Sequence, residues 1–337
     1  MDFLFTPEQD EAAALAARIV GDKATPARMK QVEAAGDRFD RELWATLGEA
    51  FDWADLDLVT LARVLVEVGR KVAPVPLAVH GACVRFLADA GEAADAGLYA
   101  AAVAEERSHL PATPTVTADG SGALTGTKTL VRAGMAADVL LVTATGPEGV
   151  GVHLVDAGAT DRQAQHTSDG DATALVTFAG TPSTKVGDAA AAERLGQLLT
   201  VLAAAEQLGV TEGALTLTSS YAKSREQFGR PIATFQAVSQ RLADGFIDVL
   251  GQRLTLWQAV WRLAEGLQAA TEVAVAKLWA ADAGHRLAHT TVHVHGGVGI
   301  DLDGEAHRYF TSAKRFEFLF GGATEQALAI GRSLADA

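Results

Sequence analysis

The chain has 337 residues, 49% of them hydrophobic, too much apolar material for one small core, so two or three packed units are expected. Its 28 Lys and Arg against 42 Asp and Glu give a formal charge of -14, which repels phosphate backbones and anionic lipid surfaces and argues against nucleic acid and membrane as partners. Cys83 is alone, which excludes an intrachain disulfide and a thiolate metal cluster; it reads as a small buried hydrophobe.

The N-terminal stretch MDFLFTPEQDEAAALAARIV carries acidic residues where a signal peptide needs a basic region, so the chain is expected in the cytoplasm. Thr6-Pro7-Glu8-Gln9 reads as a helix start: Thr6 caps, Pro7 suits the first turn and Gln9 reaches back to the capping residue. From Asp10 to Val103 apolar residues recur at three- and four-residue spacing, broken near Gly36-Asp37, Gly48 and Pro74-Val75-Pro76, which predicts about four or five helices. Between Ser108 and Val186 the texture changes to Gly, Thr, Ser and Val in short runs such as DVLLVTA and GVHLVDA, a strand-and-turn pattern. Helical periodicity returns at Asp188 in long stretches broken at Gly229-Arg230-Pro231, Gly266, Gly296-Gly297 and Gly321-Gly322. Short connections between long helices imply an antiparallel bundle. The predicted class is α+β, with an N-terminal helical domain over 1-107, a small middle β-barrel domain over 108-187 and a C-terminal four-helix-bundle-type domain over 188-337.

The most informative stretch runs from Ser224 to Val238, where one helix ends and another begins. Gly229 allows an unusual backbone angle, Pro231 cannot sit inside a helix, and Thr234 or an adjacent group can cap the second helix. By spacing alone this is an interhelix turn with a solvated Arg. The second stretch is His293-Val294-His295-Gly296-Gly297-Val298-Gly299, whose glycines let a ligand approach backbone N–H groups, although a glycine-terminated helix explains it equally well. His285, His289 and His293 share a helix face and offer imidazoles to a metal only if a further ligand is near; a stripe facing a neighbouring helix is the plainer outcome.

Arg225-Glu226-Gln227-Phe228-Gly229-Arg230-Pro231-Ile232-Ala233-Thr234-Phe235-Gln236 resembles the R-x-x-F-G-x-P-I-x-x-F-Q signature of the acyl-CoA dehydrogenase family. The resemblance extends over nearly the whole chain, most specifically in Phe39-Asp40-Arg41-Glu42-Leu43-Trp44, in this turn, and from Val292 through Gly331. It implies a fold of the predicted class and a turn that reaches the ADP half of a neighbouring subunit's FAD. By that resemblance Arg225 pairs with the pyrophosphate, Phe228 packs by the cofactor, and Gln227 and Gln236 supply polar contacts. His293, Gly296 and Gly297 stand in the family's Q-x-x-G-G-x-G loop, with His293 in place of the usual Gln.

The family's reaction requires a carboxylate base to take the α-proton. The resemblance puts Phe320, in Leu319-Phe320-Gly321-Gly322, at one position where the family carries that Glu, and Leu199 at the other. Glu206, Glu212, Glu317 and Glu325 lie nearby in sequence and read as solvated or ion-paired helix residues. Leu130-Val131-Arg132-Ala133 stands where relatives place W-I-T-N against the flavin ring. No E-P-x-x-G-S-D segment occurs between Ala101 and Thr115, and the helices at Leu47-Phe51 and Leu61-Leu65 come one after the other without the usual Gly-rich loop.

Within the family the chain resembles the smaller, non-catalytic subunit of actinobacterial α2β2 steroid-CoA dehydrogenases. The resemblance implies no catalytic residue here and a larger homologous catalytic subunit as partner, which would bind most of a cholesterol-type acyl-CoA. It also implies electron transfer to an electron-transfer flavoprotein. Two alternatives remain: a homo-oligomeric dehydrogenase with a relocated base, Glu206 or Glu317 first, and a structural subunit that does not touch FAD.

Overall fold

The computed structural model describes residues 4–335. Five helices come first: α1 (Pro7–Lys23), α2 (Pro26–Ala34), α3 (Arg41–Ala50), α4 (Leu58–Arg70) and α5 (Leu77–Asp89). Eight strands come next: β1 (Tyr99–Ala102), β2 (Thr117–Ala118), β3 (Leu124–Val131), β4 (Val139–Gly146), β5 (Gly149–Asp156), β6 (Asp161–Gln165), β7 (Thr173–Thr181) and β8 (Thr184–Gly187). The C-terminal part holds α6 (Ala189–Ser224), a hairpin of β9 (Glu226–Gln227) and β10 (Arg230–Pro231), then α7 (Gln236–Ala264), α8 (Ala270–His295), α9 (Ala306–Phe318) and α10 (Ala323–Ala335).

The start of α1 forms as its sequence dictates: the Thr6 hydroxyl accepts from the Gln9 amide while the Gln9 side chain accepts from the Thr6 amide. The expected helical run to Val103 is corrected at its end, because Tyr99–Ala102 is a strand paired in parallel with β4. All four of its residues are buried, and a short, continuously apolar run carries no period that tells a buried strand from a buried helix.

The chain divides into two compact units that are discontinuous in sequence. One contains Gln31–Asp57 and Pro74–Leu202. Here the expected barrel takes the form of an eight-stranded mixed sheet in the order β6-β7-β3-β2-β4-β5-β8, with β1 also on β4. Its core is built from Val116, Leu124, Leu140, Val142, Val155, Val176 and Phe178. A charge pair lies within it: Lys128 Nζ is 2.7 Å from Glu105 Oε1 and also donates to the Val103 carbonyl and the Thr143 hydroxyl. The Glu105 carboxylate is completed by the amides of Thr115 and Val116. A buried charge persists when every polar atom is answered in this way.

The other unit gathers Leu58–Ala73 with the described parts of Met1–Lys30 and Ala203–Ala337. Within it α4 crosses α6 at backbone contact. A Cβ on Gly69 would fall 2.0 Å from the Glu206 carbonyl oxygen, and one on Gly209 would fall 2.0 Å from that of Val66. Only glycine permits this approach. By length and composition α6 is apolar enough to cross a membrane, but 89% of its most apolar window is buried inside the protein, as in a core helix.

Candidate functional site

The Arg225 turn is a two-residue β-hairpin. Gln227 pairs with Arg230, and the central residues Phe228 and Gly229 have φ of +53° and +75°, the left-handed pair a type I′ turn requires. Such a φ is strained for a side chain as large as Phe. The hairpin nevertheless holds Phe228 at 93% exposure, edge-on to Phe235 at 6.1 Å, while the Arg230 guanidinium lies 4.4 Å from the Phe235 ring centre. Phe235, not Thr234, stands at the N-cap of α7; the Thr234 hydroxyl donates to the Pro231 carbonyl instead.

Arg225 sits one residue beyond α6, its amide bonded to the Tyr221 carbonyl at 2.8 Å and its own carbonyl accepting from Ile232. Its guanidinium is exposed and forms no ion pair or hydrogen bond with a described residue. Lys223, Arg225 and Arg230, all exposed, gather positive charge in a chain of net charge -14, with Glu226 among them. Gln227 turns its amide onto the Glu226 carbonyl, and Gln236 is exposed at the first turn of α7.

The second expected motif lies at the end of α8. Gly296, with φ of +65°, ends the helix, and a Cβ on Gly296 or Gly297 would meet nothing within 4 Å. Both glycines and His293 are exposed. The two helix ends are joined: the Thr218 and Thr291 hydroxyls bond at 3.1 Å, and one turn further Tyr221 stacks on His295 at 4.3 Å and 20°. Neither Tyr221 nor His295 is among the cofactor contacts expected from sequence. Their signal is positional, one helical turn before Arg225 and one residue before Gly296. The open space at Gly229, Gly296 and Gly297, together with an exposed aromatic ring and a guanidinium that has no partner among the described residues, fits the phosphate and adenosine part of a dinucleotide approaching from outside the chain.

The positions expected to carry a base hold apolar, buried side chains. Phe320 is 7% exposed with φ of +59°, and Leu199 is 1% exposed. The nearby carboxylates have structural partners or are deeply buried. Glu212 bridges the guanidinium groups of Arg70 and Arg253, each at 2.5 Å. Glu317 contacts His285 at 3.1 Å and Lys314 at 2.5 Å, and Glu325 accepts from the Gly322 amide. Glu206 is buried in α6. Below the Leu319–Gly322 turn, Lys277 is fully buried and donates to the Phe316 and Glu317 carbonyls at 2.8 and 3.2 Å. Burial pushes its ammonium down to about 7, against the pull of Glu317 and Glu325.

In the sheet unit, Leu130 has φ of +51° and is 40% exposed, while Arg132 is buried with Nε 2.8 Å from Asp171. That segment offers an ion pair and an aliphatic side chain where an aromatic ring was the family pattern. His285 and His289 face α9: His285 meets Glu317, and His289 meets Phe310 edge-on at 5.4 Å. A groove of about 550 Å³ between α7 and α8 is lined by Arg241, Asp244, Asp248, His285 and Arg286, with Arg286 and Asp248 paired at 2.7 Å.

Residues 191–335 match the family described as acyl-CoA dehydrogenase, C-terminal domain. The chain is 40% identical, over all of its length and 99% of the relative's, to acyl-CoA dehydrogenase FadE27 of Mycobacterium tuberculosis. Among solved structures it is similar to a chain of the ChsE4-ChsE5 complex from Mycobacterium tuberculosis, with a TM-score of 0.91, 40% identity and full coverage of both chains. It is also similar to a chain of the Tcur3481-Tcur3483 steroid ACAD, with a TM-score of 0.91, 35% identity and 98% coverage of each.

Proposed function

The chain belongs to the acyl-CoA dehydrogenase family, and on that premise we propose that it is the FAD-site-completing subunit of a heteromeric steroid acyl-CoA dehydrogenase. A larger homologous chain supplies the base and most of the acyl-CoA pocket. The observation that carries the reading is the combination of an exposed Arg225 guanidinium, without a partner among the described residues, and an apolar Phe320 at the expected base position. The names of its relatives support the remainder, since two similar structures are complexes of two chains and one is a steroid enzyme.

FAD, when bound, supplies the hydride acceptor of the reaction. Arg225 would hold the pyrophosphate, since a guanidinium is permanently charged and can offer two parallel N–H donors. Phe228 packs beside the cofactor, Gln227, Gln236 and His293 offer polar contacts, and Gly296 and Gly297 admit it to the backbone. Exposed apolar side chains occur further along α7, at Phe246 and Ile247, and directly after the glycines, at Val298, Ile300 and Leu302, between 51% and 74% exposed. A surface of this kind suits coverage by another protein chain. The α-proton of the thioester goes to the partner's carboxylate, and electrons leave through an electron-transfer flavoprotein.

The test is the flavin content and dehydrogenase activity of the chain purified alone and co-expressed with a homologous dehydrogenase chain. Flavin and turnover confined to the mixed complex support the reading; a yellow, active homo-oligomer would sink it. Unchanged flavin content after Arg225→Ala in the complex would reduce the chain to a scaffold.

A further inference from the structure

Arg225 and the Gly296-Gly297 turn belong to different helices, yet a dinucleotide that uses both needs them at a fixed separation. Neither turn supplies that separation by a side chain: the hairpin holds itself by its own ladder, and Gly296 and Gly297 have none, with open space where a Cβ would stand. Between them lies the stack of Tyr221 on His295. The Arg225 amide hangs on the Tyr221 carbonyl, so Tyr221 fixes where the hairpin leaves α6. His295 immediately precedes Gly296 and is buried, with Nδ1 2.8 Å from the Thr291 carbonyl. Because a carbonyl only accepts, Nδ1 carries the proton.

We propose that Tyr221 and His295 are a positioning pair for the cofactor half-site, a stacked joint that sets the distance and angle between Arg225 and the Gly296-Gly297 turn. This rests on the half-site reading given above. Neither residue needs to touch the cofactor. The Thr218–Thr291 bond one turn deeper holds the same two helices together without touching either turn. It therefore separates helix pairing in general from the joint itself.

The experiment is FAD titration of the apo form of the co-expressed complex, monitored by flavin fluorescence, with melting temperature recorded in parallel. His295→Ala and Tyr221→Leu are each expected to raise the Kd for FAD by about five- to tenfold, the range a lost aromatic stack commands. His295→Phe, which keeps a flat ring and loses the hydrogen bond, is expected to restore affinity to within about twofold. Thr291→Val should lower the melting temperature and leave the Kd unchanged. Wild-type affinity in both His295→Ala and Tyr221→Leu, alongside a loss in Arg225→Ala, overturns the joint and leaves the half-site standing. So does a Thr291→Val loss equal to that of His295→Ala, or a His295→Phe variant as weak as His295→Ala. If Arg225→Ala itself has no effect, the half-site reading falls and the joint with it.

Discussion

The carboxamide of Gln207 is packed against the Cα of Gly284: a Cβ at position 284 would lie 1.7 Å from Gln207 Nε2. Gln207 is wholly buried, and neither its Nε2 nor its Oε1 has a hydrogen-bond partner among the described residues. Gly284→Ala is therefore expected to cost about 2–3 kcal/mol by overpacking. Gln207→Leu is expected to be neutral or to stabilise by about 1 kcal/mol, since it removes an unanswered amide of similar volume. Combining Gly284→Ala with Gln207→Ala should recover a large part of the first loss. Thermal melts of these variants beside wild type and Gln207→Ala decide it, and strict additivity would show that the two residues do not press on each other.

Arg225→Ala should weaken FAD binding to the complex by about 10- to 100-fold, the value of a charge-assisted contact. Arg225→Lys should fall between the two, because a point charge replaces a fork. Kd values from fluorescence titration rank the three, and equal affinity for Lys and Arg would remove the bidentate contact.

Lys277 gives a pH dependence of defined sign. Burial lowers its folded pKa to about 7 from 10.5, so between these values the unfolded chain holds more of this proton than the folded one. Stability conferred by the residue then rises as pH climbs from about 7 towards 10, by at most about 1.4 kcal/mol per unit. Comparison of wild type with Lys277→Met at pH 7 and pH 9.5 isolates the effect. A difference between the two proteins that does not change with pH would mean the amine is not desolvated as described.

Glu105→Ala leaves the Lys128 ammonium buried opposite a carbonyl and a hydroxyl, and should cost about 3–5 kcal/mol. Lys128→Met combined with Glu105→Leu should cost much less, because no charge remains to be desolvated. Denaturant unfolding of both variants is the measurement, and a Glu105→Ala loss below that of the double variant would contradict the burial argument.

Local chemistry written in neighbouring residues was legible in the sequence. The Thr6 to Gln9 box, the breaks at Gly266 and Gly296, and the turn at Phe228-Gly229 each depend on residues within a few positions of one another. Contacts made across long separations were not. Tyr221 and His295 are unremarkable in their own helices and acquire a role only when α6 and α8 are packed. Lys277 sits in a helix rich in alanine and valine, and nothing local announces that the Phe316 carbonyl will meet it. The strand at Tyr99–Ala102 was missed for a related reason: its partner β4 lies forty residues away, from Tyr99 to Val139, and four buried residues carry no alternation.

The glycine crossing of α4 and α6 bears on how the chain is made. Gly69 is synthesised long before Gly209, and all eight strands of the sheet emerge between them. During translation α1 and α4 therefore wait, with those of the nine buried residues of α4 that α1 does not cover facing solvent, until the C-terminal helices arrive. Sequence-distant closure of this kind slows folding and prolongs the life of a sticky intermediate. Nascent chains stalled before residue 203 should accordingly bind chaperones, and the yield of this protein should depend on the speed of its ribosome as much as on the stability of its finished fold.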